Sequence, residues 1–247
     1  MSAALLGVIE FYRLAAQRGW QSFTLFGIIW TTLSIYFAHR GGIHIPLLLG
    51  GAVTISFLWF AFRRFVSGSD TEQALAEGSW TLLGIIYVGW LLGIWILLRR
   101  SFGWEWVILA LFSTFAVDTC AYFIGRAFGR HKLAPIISPG KTWEGAIGGL
   151  FGGLAATIAL AMILGLIGEG YPGQALAMPV SYASAVVVGL FIGLFAQLGD
   201  LTESKIKRVM GVKEAGNLIP GHGGILDRLD SVVFTGVVVY YSLCLIL

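Results

Sequence analysis

Charge is what this sequence has least of. Asp, Glu, Lys and Arg make up only 12% of its 247 residues, against about 25% in a soluble domain. So few charged side chains cannot coat a water-facing surface of this size, which excludes an ordinary soluble fold. Cysteine is nearly missing too. Cys120 and Cys244 both lie inside apolar runs, so neither a disulfide framework nor a Cys-based zinc site is expected. They read as small packing residues. The first nine residues contain no Lys or Arg, and Glu10 interrupts the first apolar stretch, so no cleavable signal peptide is expected. The net charge of +3 says little as a total, and no nucleic-acid partner is expected.

Long apolar runs are what is present. Hydrophobic residues make up 57% of the chain and the mean hydropathy is +0.84. A run of about 20 apolar residues spans the hydrocarbon core of a bilayer. Seven such spans are predicted: Trp20–Ala38, Ile43–Phe62, Trp80–Leu98, Trp104–Tyr122, Ala146–Leu166, Ser181–Leu198 and Leu229–Leu247. Lipid offers no partners to backbone N–H and C=O groups, so the spans are helices. The expected fold is an all-α polytopic transmembrane bundle forming one membrane domain over 1–247. Its N-terminal helices occupy 1–100 and its catalytic helices and loops 101–247. Gly148, Gly149, Gly152 and Gly153 in the fifth span suit close approach of a neighbouring helix, or are simple sequence bias in a lipid-facing helix.

With the N-terminus in the cytoplasm, every Lys and Arg except Arg40, Arg99 and Arg100 falls in a cytoplasmic segment, as the positive-inside rule requires. Two polar connections, Phe123–Gly145 and Gly199–Arg228, fall on that side. Chemistry is therefore expected at the cytoplasmic headgroup level.

If the sixth helix continues past its apolar run, Asp200, Ser204, Lys207 and Arg208 share one face, at i, i+4, i+7 and i+8. A carboxylate, a hydroxyl and two cations on one stripe suit a phosphate and its metal ion. An interfacial helix with snorkelling Lys and Arg is the bland alternative, but an acid ending an apolar helix is costly without a role. Pro220–Gly221–His222–Gly223–Gly224 reads as an anion nest or simply a tight turn. Asp227 and Asp230, at i and i+3, form a hard-cation pair or complement a helix N-terminus. Asp118 is an intramembrane acid, functional by default or a structural partner for Arg126 or Lys141. Asp118, Tyr122, Gly125 and Arg126 repeat the spacing of Asp200 to Arg208, which suggests a degenerate parallel repeat. On residues alone, a CTP-dependent lipid kinase and a transporter remain rival readings. The transporter is disfavoured because the polar residues gather in loops away from the midplane.

The run from Ser204 through Ile206–Lys207–Arg208, Lys213–Glu214, Gly216, Ile219–Pro220 and His222–Gly223–Gly224–Ile225 to Asp227–Arg228–Leu229–Asp230 resembles the signature of the phosphatidate cytidylyltransferases (CDP-diacylglycerol synthases). Its departure is Glu214, where the family usually has Asp. Ser138–Pro139–Gly140–Lys141–Thr142–Trp143–Glu144–Gly145 is similar to a second stretch of that family. The resemblance implies a bacterial-type inner-membrane enzyme that joins CTP to phosphatidic acid among the membrane lipids, with Mg²⁺, a possible second cation and a homodimeric state. It also implies hydrophobic helices ahead of the Glu10 region that this sequence starts without. On this reading Asp200 and Asp227 hold Mg²⁺, with Asp230 as an alternative ligand. Lys207, Arg208, Lys213 and the His222–Gly223–Gly224 turn hold the CTP phosphates, and Ser204 contributes to substrate binding. Arg228, Lys141 and Asp118 orient phosphatidate or support the metal.

Overall fold

Backbone polar groups without water or lipid partners must bond within their own segment, and the structure is accordingly helical almost throughout. A computed structural model describes residues 2–41, 44–66, 70–169, 182–216 and 223–246. Its helices are α1 (Ser2–Gln17), α2 (Thr24–His39), α3 (Ile45–Val66), α4 (Thr71–Gly84), α5 (Leu91–Phe102), α6 (Trp104–Phe128), α7 (Trp143–Glu169), α8 (Tyr182–Met210) and α9 (Leu226–Ile246). A π-helical stretch, Ile85–Trp90, joins α4 to α5.

Among the described residues, five helical stretches can cross a membrane by length and composition: Thr71–Phe102, Trp104–Phe128, Trp143–Gly165, Ala183–Met210 and Leu226–Ile246. Thr24–His39 and Leu47–Phe62 are shorter apolar helices. Each of the seven predicted spans overlaps one of these seven. The differences lie at the polar ends. The third helix starts at Thr71 instead of Trp80, the fourth runs on to Phe128, and the sixth to Met210. Hydropathy marks where a helix meets lipid, whereas a helix already nucleated continues through polar helix formers until a stop signal. For α8 that signal is Gly211, at φ +79°. Gly211 N–H donates to Arg208 O and Val212 N–H to Lys207 O, the Schellman ending that favours glycine. The first polar connection is not a plain loop. It folds into an antiparallel hairpin of β1 (Lys132–Ala134) and β2 (Ser138–Thr142), with Lys132 opposite Thr142.

The chain divides into two compact units. One comprises Met1–Leu97 and Ile206–Leu229, the other Leu98–Lys205 and Asp230–Leu247. Ile206–Leu229 thus groups with the N-terminal helices.

In the first unit α1 is fastened to α4. The Phe11 ring stacks on Trp80 at 4.5 Å between centroids, and Trp80 Nε1–H donates to Phe11 O. The buried Tyr12 hydroxyl donates to Thr81 O at 2.8 Å. A Cβ on Gly84 would stand 2.7 Å from that Tyr12 ring, so glycine permits the seat. In the second unit the expected close approach of the fifth span is realised between α6 and α7. A Cβ on Gly149 would stand 2.9 Å from Ala121 and 3.0 Å from Val117 O, and Gly148, Gly152 and Gly153 face Ile124, Cys120 and Val117. Such contacts replace the hydrophobic drive that lipid removes. Thr157 and Ser113 add a buried hydroxyl–hydroxyl bond of 2.9 Å.

Candidate active site

The predicted site residues fall into two sets, one in each unit. In the second unit, α8 does continue past its apolar run, which puts Asp200 and Ser204 one turn apart. The Ser204 hydroxyl donates to Asp200 Oδ1 at 3.3 Å. Lys141, delivered by β2, reaches Asp200 Oδ2 at 2.6 Å. Thr142 begins α7 by accepting the Gly145 N–H on its hydroxyl at 3.2 Å, a standard N-terminal cap. The hairpin is fixed by Glu144, whose carboxylate accepts the Arg130 and His131 N–H groups and meets His131 Nδ1 at 2.6 Å. These contacts fasten the strand that carries Lys141.

Asp118 on α6 accepts the Ser231 hydroxyl at 3.2 Å. Ser231 N–H donates to Asp230 Oδ1 at 2.7 Å. Asp118 lies within electrostatic reach of Asp230, Asp200 and Lys141. Gly199 makes this gathering possible, since a Cβ there would stand 2.5 Å from Asp230 O. Three carboxylates, Asp118, Asp200 and Asp230, thus share a neighbourhood with Lys141 among apolar helices. Carboxylates in excess of cations suit a hard cation or a ligand's own cation. Among the described residues, neither unit holds a ready-made cage of three or more His, Cys, Asp or Glu side chains. The set therefore fits Mg²⁺ only in its usual manner beside phosphates, with one or two carboxylates and the remaining ligands from substrate and water.

The first unit holds Lys207, Arg208, Lys213, Gly223, Gly224, Asp227 and Arg228. Asp227 organises them. Its Oδ1 accepts Lys207 Nζ at 2.6 Å, with side chains only 13% and 9% exposed. Its Oδ2 accepts the Gly224 N–H at 2.8 Å and the Ala215 N–H at 2.9 Å. One carboxylate therefore ties α8's last turns to both flanks of the Gly-rich segment. Gly223 takes φ +78°, and a Cβ there would stand 2.7 Å from Asp227 Oδ2. Arg208 Nη1 donates to Val212 O at 3.3 Å. Arg208, Lys213 and Arg228 are exposed and able to meet an anion from water. His222, Pro220 and Gly221 lie outside the described residues.

Sequence reasoning missed two residues here. Ser231 looked like an ordinary helix residue, and only its contact with Asp118 reveals it. In the sequence Glu10 shows only as an interruption of the first apolar stretch. In the fold it is 4% exposed and its Oε2 accepts the Leu226 N–H at 3.0 Å. The rule that singled out Asp118, an acid in an apolar helix, could have found it.

Comparison with known proteins adds an independent line. The model of the cytidylyltransferase family matches residues 1–246. A phosphatidate cytidylyltransferase of Brucella suis is 34% identical over 241 residues, covering 95% of this chain and 80% of that protein. One from Bacillus subtilis is 37% identical over 171 residues, covering 68% of this chain and 59% of that protein. Phosphatidate cytidylyltransferase 5, chloroplastic, of Arabidopsis thaliana is 38% identical over 233 residues, covering 84% of this chain and 52% of that protein. The matched region is thus less than two thirds of the Bacillus and Arabidopsis proteins.

Proposed function

The chain belongs to the cytidylyltransferase family, and on that premise we propose that it transfers CMP from CTP to phosphatidic acid, giving CDP-diacylglycerol and pyrophosphate. The observation that supports this most directly is the Asp227 clasp. A nearly buried Lys207–Asp227 pair holds both flanks of a glycine-rich segment at the polar end of an apolar helix. A nucleotide arriving from water and a lipid headgroup can both reach that level.

The chemistry asks little of a general base. A phosphate monoester has a second pKa of about 6 and is largely dianionic at neutral pH, so the phosphatidate oxygen is already a nucleophile. It attacks the α-phosphorus of CTP, the bond to the β-phosphate oxygen breaks, and pyrophosphate leaves with the electron pair. The obstacle is the repulsion of two anions. Arg208, Lys213 and Arg228 offset it at the nucleotide, together with the backbone N–H groups of the Gly223–Gly224 turn. Lys207, held by Asp227, would add its charge there. Lys141 and Ser204, each bonded to Asp200, present a cation and a hydroxyl to the phosphatidate headgroup. Asp200 and Asp230, with Asp118 and Ser231 behind them, would hold Mg²⁺. An ion bound there would supply charge neutralisation to a phosphate group. Asp227 already uses both oxygens within its own unit, so its part is to hold the basic segment.

Seven membrane crossings, the cytoplasmic placement of the polar helix ends and a homodimeric state belong to the same proposal. The crossings are supported by the apolar runs and their orientation by the placement of Lys and Arg along the sequence, while the homodimer rests on the family resemblance alone. The test is to incubate the purified protein with phosphatidate, Mg²⁺ and CTP labelled in the cytidine, then extract the lipid. Label in a product heavier by CMP is expected. A lipid product carrying only an added phosphate, with label left in CDP, would instead identify a lipid kinase.

A further inference from the structure

We propose that Glu10, on α1, is a positioning residue for the nucleotide-binding segment. This rests on the function proposed above and assigns α1 a part in it. Glu10 is 4% exposed. Its Oε2 takes the Leu226 N–H at 3.0 Å, across 216 residues of sequence. Leu226 is the first residue of α9 and the immediate neighbour of Asp227. A carboxylate at this place also answers the positive end of the α9 dipole.

The two flanks of the Gly-rich segment are built around this side chain. A Cβ on Gly216 would stand 2.8 Å from Glu10 Oε1, and one on Gly224 would stand 2.5 Å from Oε2. A side chain at either position would push the carboxylate out of its present place. Asp227 accepts N–H groups from the same two places, Ala215 and Gly224. Two carboxylates from opposite ends of the sequence thus hold the residues that flank the turn. Gly7, one turn earlier on α1, faces the Leu226 and Ile225 side chains. The rest of α1 is anchored to α4 by the Phe11–Trp80 stack and the Tyr12–Thr81 bond. Glu10 Oε1 has no hydrogen-bond partner among the described residues. A buried carboxylate oxygen without a donor destabilises the fold. What it provides in return is the fixed start of α9, and hence the direction in which Asp227 holds Lys207.

The test compares Glu10→Ala and Glu10→Gln with the parent protein in detergent micelles. Two readouts are used: the CTP and phosphatidate KM values, and hydrogen exchange of peptides containing Leu226 and Ala215. Gln keeps an oxygen for the Leu226 N–H and Ala does not. Loss of a hydrogen bond to a charged group corresponds to about a tenfold change or more. Glu10→Ala is expected to raise the CTP KM about tenfold with the phosphatidate KM little changed, and to speed exchange at Leu226. Glu10→Gln is expected to recover most of both. Unchanged CTP KM and unchanged exchange in Glu10→Ala would overturn the proposal. So would equal rises in both KM values that Glu10→Gln does not relieve, since those mark general destabilisation. If the parent protein makes no CDP-lipid, the proposed activity is what fails, and exchange at Leu226 alone then decides for or against Glu10.

Discussion

Replacing Asp227 by Asn changes one atom and disturbs three contacts. The carboxylate now accepts Lys207 Nζ on one oxygen and two backbone N–H groups on the other. Asn has a single acceptor oxygen. Turned toward Lys207, it sets its NH₂ against the Gly224 and Ala215 N–H groups, donor to donor. Turned the other way, it faces NH₂ to an ammonium. Breaking a buried ion pair from one side costs about 3–5 kcal/mol. With side chains 13% and 9% exposed, a value near the lower bound, about 3 kcal/mol, is appropriate. If that energy is what holds the segment in its working shape, turnover falls by about a hundredfold or more, at about 1.4 kcal/mol per factor of ten. The assay is transfer of cytidine label from CTP into the organic phase, paired with hydrogen exchange of peptides containing Ala215 and Gly224. Slower turnover together with faster exchange is expected. Turnover within threefold of the parent would refute the reasoning. A large loss with exchange unchanged would show that Asp227 acts on a bound cation or substrate directly, and not through the segment it ties down.

Three further outcomes are expected. Lys141→Met should raise the phosphatidate KM far more than it lowers the melting temperature. Its pair with Asp200 is 22% and 29% exposed, so removing it costs less stability than breaking the more buried Lys207–Asp227 pair. A thermal scan beside a lipid titration measures both. Gly199→Ala would press a methyl group into Asp230 O, so turnover should fall at least tenfold with the protein still folded in micelles; parent-like rates would show that the Asp200–Asp230 approach is unimportant. Tyr12→Phe removes the buried bond to Thr81 O and should cost about 1 kcal/mol of stability, read as a lower unfolding midpoint with the CTP KM kept.

Much of the architecture was legible because lipid leaves few choices. A segment such as Trp104–Tyr122 has no solvent for its backbone, so it must be a helix wherever it packs, and α6 covers it. The candidate residues Asp118 and Asp200 stood out by the same logic, as acids too costly to place in apolar helices without a role, whereas Asp227 was marked by its i, i+3 spacing from Asp230 and Lys141 by the family resemblance. The glycines of the fifth span announced a close helix contact, although the sequence could not say that the partner was α6.

The partners of those charges were decided only by folding. Spacing along a helix puts Asp227 and Asp230 on one face, but it cannot foresee that Asp227 turns its oxygens to Lys207, Ala215 and Gly224 while Asp230 joins the unit that holds Asp118 and Asp200. Nor can it foresee that Glu10 lies against a helix more than two hundred residues away. Burial cost is local and can be read one residue at a time, so the sequence fixes which side chains must have a purpose. A hydrogen bond needs two groups within about 3 Å, and for residues far apart in the chain that distance is set by how the helices pack.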